Sequence, residues 1–501
     1  MELQVPHSYH LCSAEQCRNM DSRTIEEFGI PSFTLMELAG TRAADFIQSR
    51  STPNDSVLIV CGKGNNAGDG LVVARLLLQK NYTVHLYFCD GTEKLSTDTQ
   101  KNFELVQKLK ADKLTLLAEL PDLDNYDIII DAMLGTGLKN EVRSPYKEVI
   151  QQINNSTAEV YALDVPSGLD SSRGQILGSS IKTDYTLTFG AQKAGFYLND
   201  GIEYSGKVIL CDLPIPNNYR EKAAALIDED WVLEHHENSA LRNHKYADGL
   251  LYVIAGSEGL TGAAILACRS AWEAGLGGVV LITPHGLLDI YEKNLIKIIK
   301  KPIGQTSDKS FTEAHVQSVL DLIKEKKGTV LIGPGLGRSK STIAFIQGVL
   351  AQLTCNVVLD ADALFALSKM DEWPKPTNSN WILTPHPGEL STLLASDISN
   401  DFDRLIQVSS KAKSEQLTIL SKGYPGIVGT SDGDAYLTTY ETRIFSRAGF
   451  GDVLAGKVSA YFLKTNHPNM ACFLALLDGK YKSEEALEYT SPNQIDPEHL
   501  I

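Results

Sequence analysis

Val57-Leu58-Ile59-Val60-Cys61-Gly62-Lys63-Gly64-Asn65-Asn66-Ala67-Gly68-Asp69-Gly70 decides the fold. An unbroken apolar run ends in a glycine-rich polar turn that opens a helix. A strand apolar at every position is covered on both faces, as in a parallel sheet packed between helices. Glycines at its end let the backbone approach an anion, and the helix N-terminus favours negative charge. The spacing, Gly-x-Gly-x-x-x-Gly, is one residue longer than the dinucleotide fingerprint. Asp90, at the end of the next strand, stands where that fingerprint has its ribose-binding acid. On this pattern alone a hydride-transfer enzyme stays open. Asn65, Asn66 and Asp69 tip the balance, since two amides and a carboxylate suit ligand or ion coordination beyond phosphate cradling.

The same rhythm extends outward. Apolar runs recur at Val84–Phe88, Ile128–Ile130, Val160–Leu163, Tyr185–Phe189 and Val208–Cys211, with polar helical stretches between them. Ser13 and Gln16 form a capping box ahead of a helix whose face is Cys17, Met20, Thr24 and Phe28. Thr34 and Glu37 predict a second box. Near 217–230 the rhythm breaks at Pro214, Pro216 and Asn217, which predicts a linker. A second series follows: Leu250–Ala255, Val279–Thr283, Val330–Ile332, Val357–Leu359, Ile382–Leu383 and Thr418–Leu420. The expected architecture is α/β, with two three-layer α/β domains, 1–225 and 226–501. The first has a Rossmann-like parallel sheet.

Composition narrows the function. In 501 residues, 46 Lys and Arg against 62 Asp and Glu leave a net charge of −16, which argues against a general nucleic-acid or anionic-membrane binder. Apolar runs fall far short of a membrane span, and the N-terminus lacks the pattern of a signal peptide. Eight scattered cysteines form no Cys-x-x-Cys pair and lie mostly in apolar segments. A reduced, soluble, cytoplasmic protein is expected.

Two more strand ends carry chemistry. Asp131 closes one strand and leads into Gly135-Thr136-Gly137-Leu138; Asp164 closes the next and leads into Val165-Pro166-Ser167-Gly168-Leu169-Asp170. Either aspartate alone reads as a turn cap. Both together with Asn66 point to one crevice beyond the carboxyl ends of the strands.

From Ala14 to Leu213 the chain resembles the NAD(P)H-hydrate epimerases. Gly64–Gly70, Asp131–Gly137, Asp164–Asp170 and Phe189-Gly190-Ala191-Gln192-Lys193 carry the likeness, with Ala67 where a third glycine is usual. The resemblance implies a K+ ion held by Asn66, Asp131 and Ser167. It implies substrate contacts from Asn65, Asn66, Ala67, Gly68 and Asp69, from Gly135, Thr136, Gly137, Leu138, Lys139, Asn140 and Glu141, and from Asp164. The substrate would be NADH or NADPH carrying water at C6. That carbon bears a hydroxyl and a ring nitrogen, so it inverts by ring opening or by losing and regaining water. Either route needs a carboxylate proton shuttle, here Asp164.

The second half holds Gly333-Pro334-Gly335-Leu336-Gly337, Asp360-Ala361-Asp362, Thr384-Pro385-His386-Pro387-Gly388-Glu389 and Gly449-Phe450-Gly451-Asp452. A Gly-x-Gly-Asp at a helix start supplies backbone N–H groups as an anion hole, with a carboxylate poised as base. Taken alone, Asp452 reads as an N-cap and His386 as a satisfied loop histidine. Asp432-Gly433-Asp434 reads as a hairpin turn rather than a calcium loop. The Walker P-loop pattern is missing.

Together with Gly262-Ala263 and Lys422-Gly423, these stretches resemble the ribokinase-like ADP/ATP-dependent NAD(P)H-hydrate dehydratases over Trp231 to Ile501. The resemblance implies substrate contacts from Ala263, Gly335, His386 and Asp452. It sets the nucleotide along Lys422, Gly423, Tyr424, Pro425 and Gly426 and at Gly451, with Mg2+ and ADP or ATP. Asp452 would be the base that activates the C6 hydroxyl for phosphorylation, and phosphate loss would restore the cofactor. The chain departs from that family at Phe450, at Thr442-Arg443-Ile444, at Asp478-Gly479 and at Tyr246. The expectation is a fused repair enzyme acting on NADHX and NADPHX, as a homo-oligomer. Two alternatives stay open for the second half: a small-alcohol kinase, or a scaffold that has lost catalysis.

Overall fold

Val57, Ile59 and Cys61 pack into one apolar cluster and Leu58 and Val60 into another, so the strand Ser56–Cys61 is buried on both faces. That is why Val57–Cys61 is apolar at every position. Each such side chain, fully buried, contributes about 1.5–3 kcal/mol. The computed structural model describes residues 5–237, 249–324, 328–374, 380–440, 445 and 447–501.

The chain divides into two compact units, Gln4–Ala225 and Leu226–Ile501. The first carries a parallel sheet in the order Leu114–Leu117, Thr83–Phe88, Ser56–Cys61, Ile128–Ala132, Glu159–Leu163, Tyr185–Phe189, Lys207–Cys211. Leu71, Val73 and Leu77 of the helix Asn65–Gln79 fill one face, and Val149, Ile150 and Ile153 of Tyr146–Asn155 the other. Strand order reverses between Ser56–Cys61 and Ile128–Ala132, the place where such sheets bind ligands. A short strand, His10–Cys12, pairs antiparallel with Ala224–Ala225 and parallel with Gln192–Lys193.

In the second unit the order is Ile299–Ile303, Val279–Pro284, Leu250–Ile254, Gly328–Ile332, Asn356–Leu359, Trp381–Leu383, Thr418–Ser421, Ile427–Gly429, Ala435–Thr438. The first seven run parallel, and the last two close an antiparallel hairpin about the Asp432-Gly433-Asp434 turn. The helix Phe450–Thr465 lies so close to Thr261–Glu273 that a Cβ on Gly456 would come within 2.1 Å of Ser270 Oγ. Only glycine permits this approach, and it fixes the helix that carries Asp452.

Several local expectations change. The capping box of Ser13 and Gln16 is present, but that helix ends at Glu26 and leaves Phe28 60% exposed beyond it. The second helix, Ser32–Gln48, begins after Pro31 with no side-chain cap, so Thr34 sits inside the first turn. The stretch 217–230 is ordered structure rather than an open linker. It holds a turn at Asn217–Tyr219, the buried strand Ala224–Ile227 and the start of the helix Glu229–Glu237. Five small or aliphatic residues between charged neighbours were too short a signal.

Candidate functional site

In the first unit a cavity of about 830 Å³ opens at the strand-order reversal. Asn65, Asn66, Asp69, the loop Gly135–Glu141 and Asp164 line it. Ala67 and Gly68 do not: Ala67 is fully buried in the core, and a Cβ on Gly68 would strike Met36 Sδ at 2.5 Å.

Behind the cavity wall, Asp131 and Ser167 are both completely buried. Ser167 Oγ donates to Asp131 Oδ1 at 2.6 Å, and the Ser167 and Met133 N–H groups donate to the same carboxylate at 2.8 and 3.1 Å. Burial pushes the Asp131 carboxyl up to about 6 against the pull of those donors. Asn66 is 7% exposed, and its amide nitrogen and oxygen both lack a hydrogen-bond partner. Orphaned buried amides are costly, about 1–3 kcal/mol per group, so this one is shaped for something else. Its side chain lies 3.7 Å from where a Cβ on Gly135 would be, and Ser167 Oγ accepts from the Leu134 N–H at 2.8 Å. All three residues thus converge on one turn. Their hard oxygens fit an alkali cation.

Asp164 takes a left-handed φ of 64°, which turns its carboxylate from the strand end into the cavity. The ammonium of Lys193, 1% exposed, lies 2.6 Å from Asp164 Oδ1. Asp21 and Asp69 face the same pocket. Burial and the Asp164 charge push Asp69 well above the usual carboxylate range. Asp21 is exposed at the cavity, but enclosure by the walls, then the Asp164 charge, raise it to about 6. From the sequence, Lys193 is read only as the end of the Phe189–Lys193 likeness, with no role given to it, and Asp21, an acid on an N-terminal helix with no local signature, is missed. Asp90 is engaged elsewhere, accepting from Tyr146 Oη at 2.8 Å with Lys63 at 3.7 Å.

In the second unit a cavity of about 610 Å³ is lined by His386, Lys422, Gly423, Tyr424, Gly426, Gly451 and Asp452. Asp452 lies in the first turn of its helix, whose N-cap is Gly449 at φ 99°, so the simple Asp N-cap reading fails. Burial, then the charge of Asp360, push its carboxyl up to about 7, with Lys422 opposing. His386 caps the helix Pro387–Leu394: its Nδ1 accepts from the Gly388 and Glu389 N–H groups at 3.1 and 3.3 Å. Its ring stays 57% exposed toward the cavity.

Buried Arg404, unsuspected from sequence, ties the Lys422–Gly426 loop together. It donates to the carbonyls of Lys422 and Pro425 at 3.0 and 2.6 Å. Pro425 itself does not line the cavity. Ala263 and Gly335 abut one another where this sheet reverses order, outside the cavity's lining; a Cβ on Gly335 would sit 3.1 Å from Ala263 Cβ. Phe450 is buried against Phe445, Val453, Ala486, Ile495 and Leu500, so its ring is held in an apolar cluster. Asp478 pairs with buried Lys457 at 3.0 Å and accepts from Tyr461 Oη at 3.1 Å. Thr442-Arg443-Ile444 and Tyr246 lie outside the described residues.

Residues 32–195 match the family described as YjeF-related protein N-terminus, and residues 251–501 match the NAD(P)H-hydrate dehydratases. A bifunctional NAD(P)H-hydrate repair enzyme of Salinibacter ruber is 33% identical over 93% of this chain and 90% of its own length. The chain belongs to the bifunctional NAD(P)H-hydrate repair enzymes. A Moorella thermoacetica repair enzyme is 31% identical over 95% of the chain and 92% of its own length. A Bacillus subtilis ADP/ATP-dependent NAD(P)H-hydrate dehydratase, crystallised with ATP and Mg2+, aligns with 54% of the chain and 94% of its own at 24% identity and a TM-score of 0.45. As a repair enzyme the chain joins an epimerase to a dehydratase. Cys17 and Asp21, which line the first cavity, precede the residues matched to the epimerase family.

Proposed function

We propose that residues 1–225 interconvert the (R) and (S) epimers of hydrated NADH and NADPH at C6. Residues 226–501 then dehydrate the (S) epimer at the expense of ADP, or of ATP. Fusion suits this chemistry, because a dehydratase that accepts one epimer is resupplied by the epimerase. The observation that carries the reading is the buried Asp131–Ser167 pair beside the orphaned amide of Asn66, next to the Asp164 carboxylate. Those three residues would hold K+, which supplies a fixed positive charge that organises the pocket. Asp164 accepts the proton of the C6 hydroxyl as the bond from C6 to the ring nitrogen breaks and passes it to that nitrogen; the same transfer in reverse closes the ring on either face.

In the second unit Asp452 takes the proton of the C6 hydroxyl as the terminal phosphoryl group of the nucleotide moves to that oxygen. The C6–O bond then breaks, phosphate leaves with its electron pair, and loss of a C5 proton restores the dihydropyridine. Gly451 backbone and the Lys422 ammonium hold the phosphates. Among the described residues no cluster of three carboxylate, histidine or cysteine ligands forms, which favours Mg2+ arriving on the nucleotide's own oxygens. His386, Ala263 and Gly335 would hold the substrate. All eight cysteines are free, which suits a reducing cytoplasm, where we expect an assembly of identical chains. A kinase for an unrelated alcohol would consume nucleotide without restoring NADH. The test incubates mixed NADHX epimers with the full chain, Mg2+ and ADP or ATP. Full recovery of NADH absorbance supports both activities, recovery of only the (S) fraction removes the first, and none removes the second.

A further inference from the structure

Lys193 makes three hydrogen bonds, as many as an ammonium can donate. They go to Asp164 Oδ1 at 2.6 Å, Thr188 Oγ1 at 2.6 Å and the Phe189 carbonyl at 3.2 Å. Its strand residue pairs in register with Cys12, so the N-terminal segment clamps it from outside. Asp164 is left with one carboxylate oxygen on this ammonium. The other, Oδ2, lies 3.4 Å from where a Cβ on Gly135 would stand, and the side chain is 17% exposed. Three carboxylates, Asp21, Asp69 and Asp164, share this pocket. Burial comes first in raising Asp21 and Asp69; the Asp164 charge adds to it at both and the Asp21 charge at Asp69, while Lys193 opposes them. Burial works against the Lys193 charge, but Asp164, Cys17 and Asp21 outweigh it and raise its pKa. Cys12 and Cys211 also face the ammonium, and Arg18, Lys63, Lys139 and Glu141 line the cavity beyond.

We propose that Lys193 is the positioning residue of the epimerase. It aims Asp164: with Oδ1 held on the ammonium, Oδ2 is left beside Gly135 in the cavity that Asp21 and Asp69 share, so that Asp164 is the group that accepts the proton and Asp21 or Asp69 stays able to carry one. This rests on Asp164 as the proton shuttle. A buried lysine kept only for packing would be equally satisfied, but it would not govern the titration of a pocket carboxylate.

The test is epimer exchange by the full chain without nucleotide, followed over about pH 5 to pH 10 for the parent, Lys193→Met, Lys193→Arg and Asp164→Asn. An opposite charge at this distance lowers an aspartate by about 1–3 pH units, so the acid limb of kcat in Lys193→Met should move up by that amount. Activity lost at neutral pH should return in alkali, with KM little changed, and Lys193→Arg should keep the limb of the parent. Equal loss at every pH with the limb unmoved, or a profile like the parent's, overturns the proposal. Asp164→Asn exchanging epimers at the parent rate would instead remove the shuttle reading beneath it. If Lys193→Met does not fold, the doubly neutral Asp164→Asn/Lys193→Met replaces it, with dehydration of the (S) epimer as a check on the fold. The double variant should be as slow as Asp164→Asn alone, because Lys193 acts only through Asp164. A multiplied loss would show an independent role for Lys193.

Discussion

The ammonium of Lys422 lies 2.5 Å from Asp360 Oδ1, and a Cβ placed on Gly451 would be 3.1 Å from the same nitrogen. Asp360 is itself buried and accepts from Thr384 Oγ1 at 2.8 Å. The pair therefore holds a cation at the start of the helix that carries Asp452. Glycine at 451 leaves room for that cation, and a side chain there would press on it. Each unit thus places a lysine–aspartate pair at the edge of its cavity, with a second carboxylate nearby.

Asp452→Asn preserves shape and should leave the fold intact. A positioned general base contributes about 10²–10⁴-fold, and (S)-NADHX dehydration should fall by that factor while epimer exchange is unchanged. The base works deprotonated, and its carboxyl is raised to about 7. Parent dehydration should therefore rise as pH climbs through that value and level off above it. The variant should lack this limb. A normal rate in Asp452→Asn assigns the base elsewhere.

Asp131→Ala removes the buried carboxylate to which Ser167 and the Met133 N–H donate. Epimer exchange, measured by chromatographic separation of the two epimers, should be abolished, while nucleotide-dependent dehydration of pure (S) epimer persists. Replacing K+ with a bulky organic cation should slow the parent's exchange in the same direction. Undiminished exchange in the variant sinks the ion site.

Phe450→Ser tests whether the ring obstructs the nucleotide. Buried in its apolar cluster, the ring should be a stability residue, and its removal should cost about 3–5 kcal/mol, read as a lower melting transition. No gain in dehydration rate or nucleotide affinity is expected. A gain in either would mean that the ring crowds the phosphates.

Residues 1–225 and 226–501, produced separately, should each give a soluble, cooperative melt. Ala224 and Ala225 keep their strand partners Leu11 and His10 on one side of the cut. On the other, Trp231 stays anchored through its indole N–H to the Leu226 carbonyl at 3.1 Å and packs on Tyr436 and Phe473. Aggregation of both pieces would count against this division.

The parallel strands and the glycine loops that end them are legible in the order of amino acids, because burial on both faces writes a continuous apolar run and close backbone approach demands glycine. Val57–Cys61 and the turn after it were legible for that reason, as was the gathering of Asn66, Asp131 and Asp164 at one crevice; the part of Ser167 came only with the family resemblance. Edge strands escaped: Leu114–Leu117 is half exposed, and Ile299–Ile303 carries lysines and a proline. Only the tertiary structure decided that Lys193 reaches Asp164, that Arg404 knits the Lys422–Gly426 loop, and that Phe450 sits in a cluster with Ile495 and Leu500. Those contacts join residues far apart in the chain, or depend on which way a single ring or ammonium turns. Periodicity records which face is buried, and it carries no information about which distant side chain shares that burial.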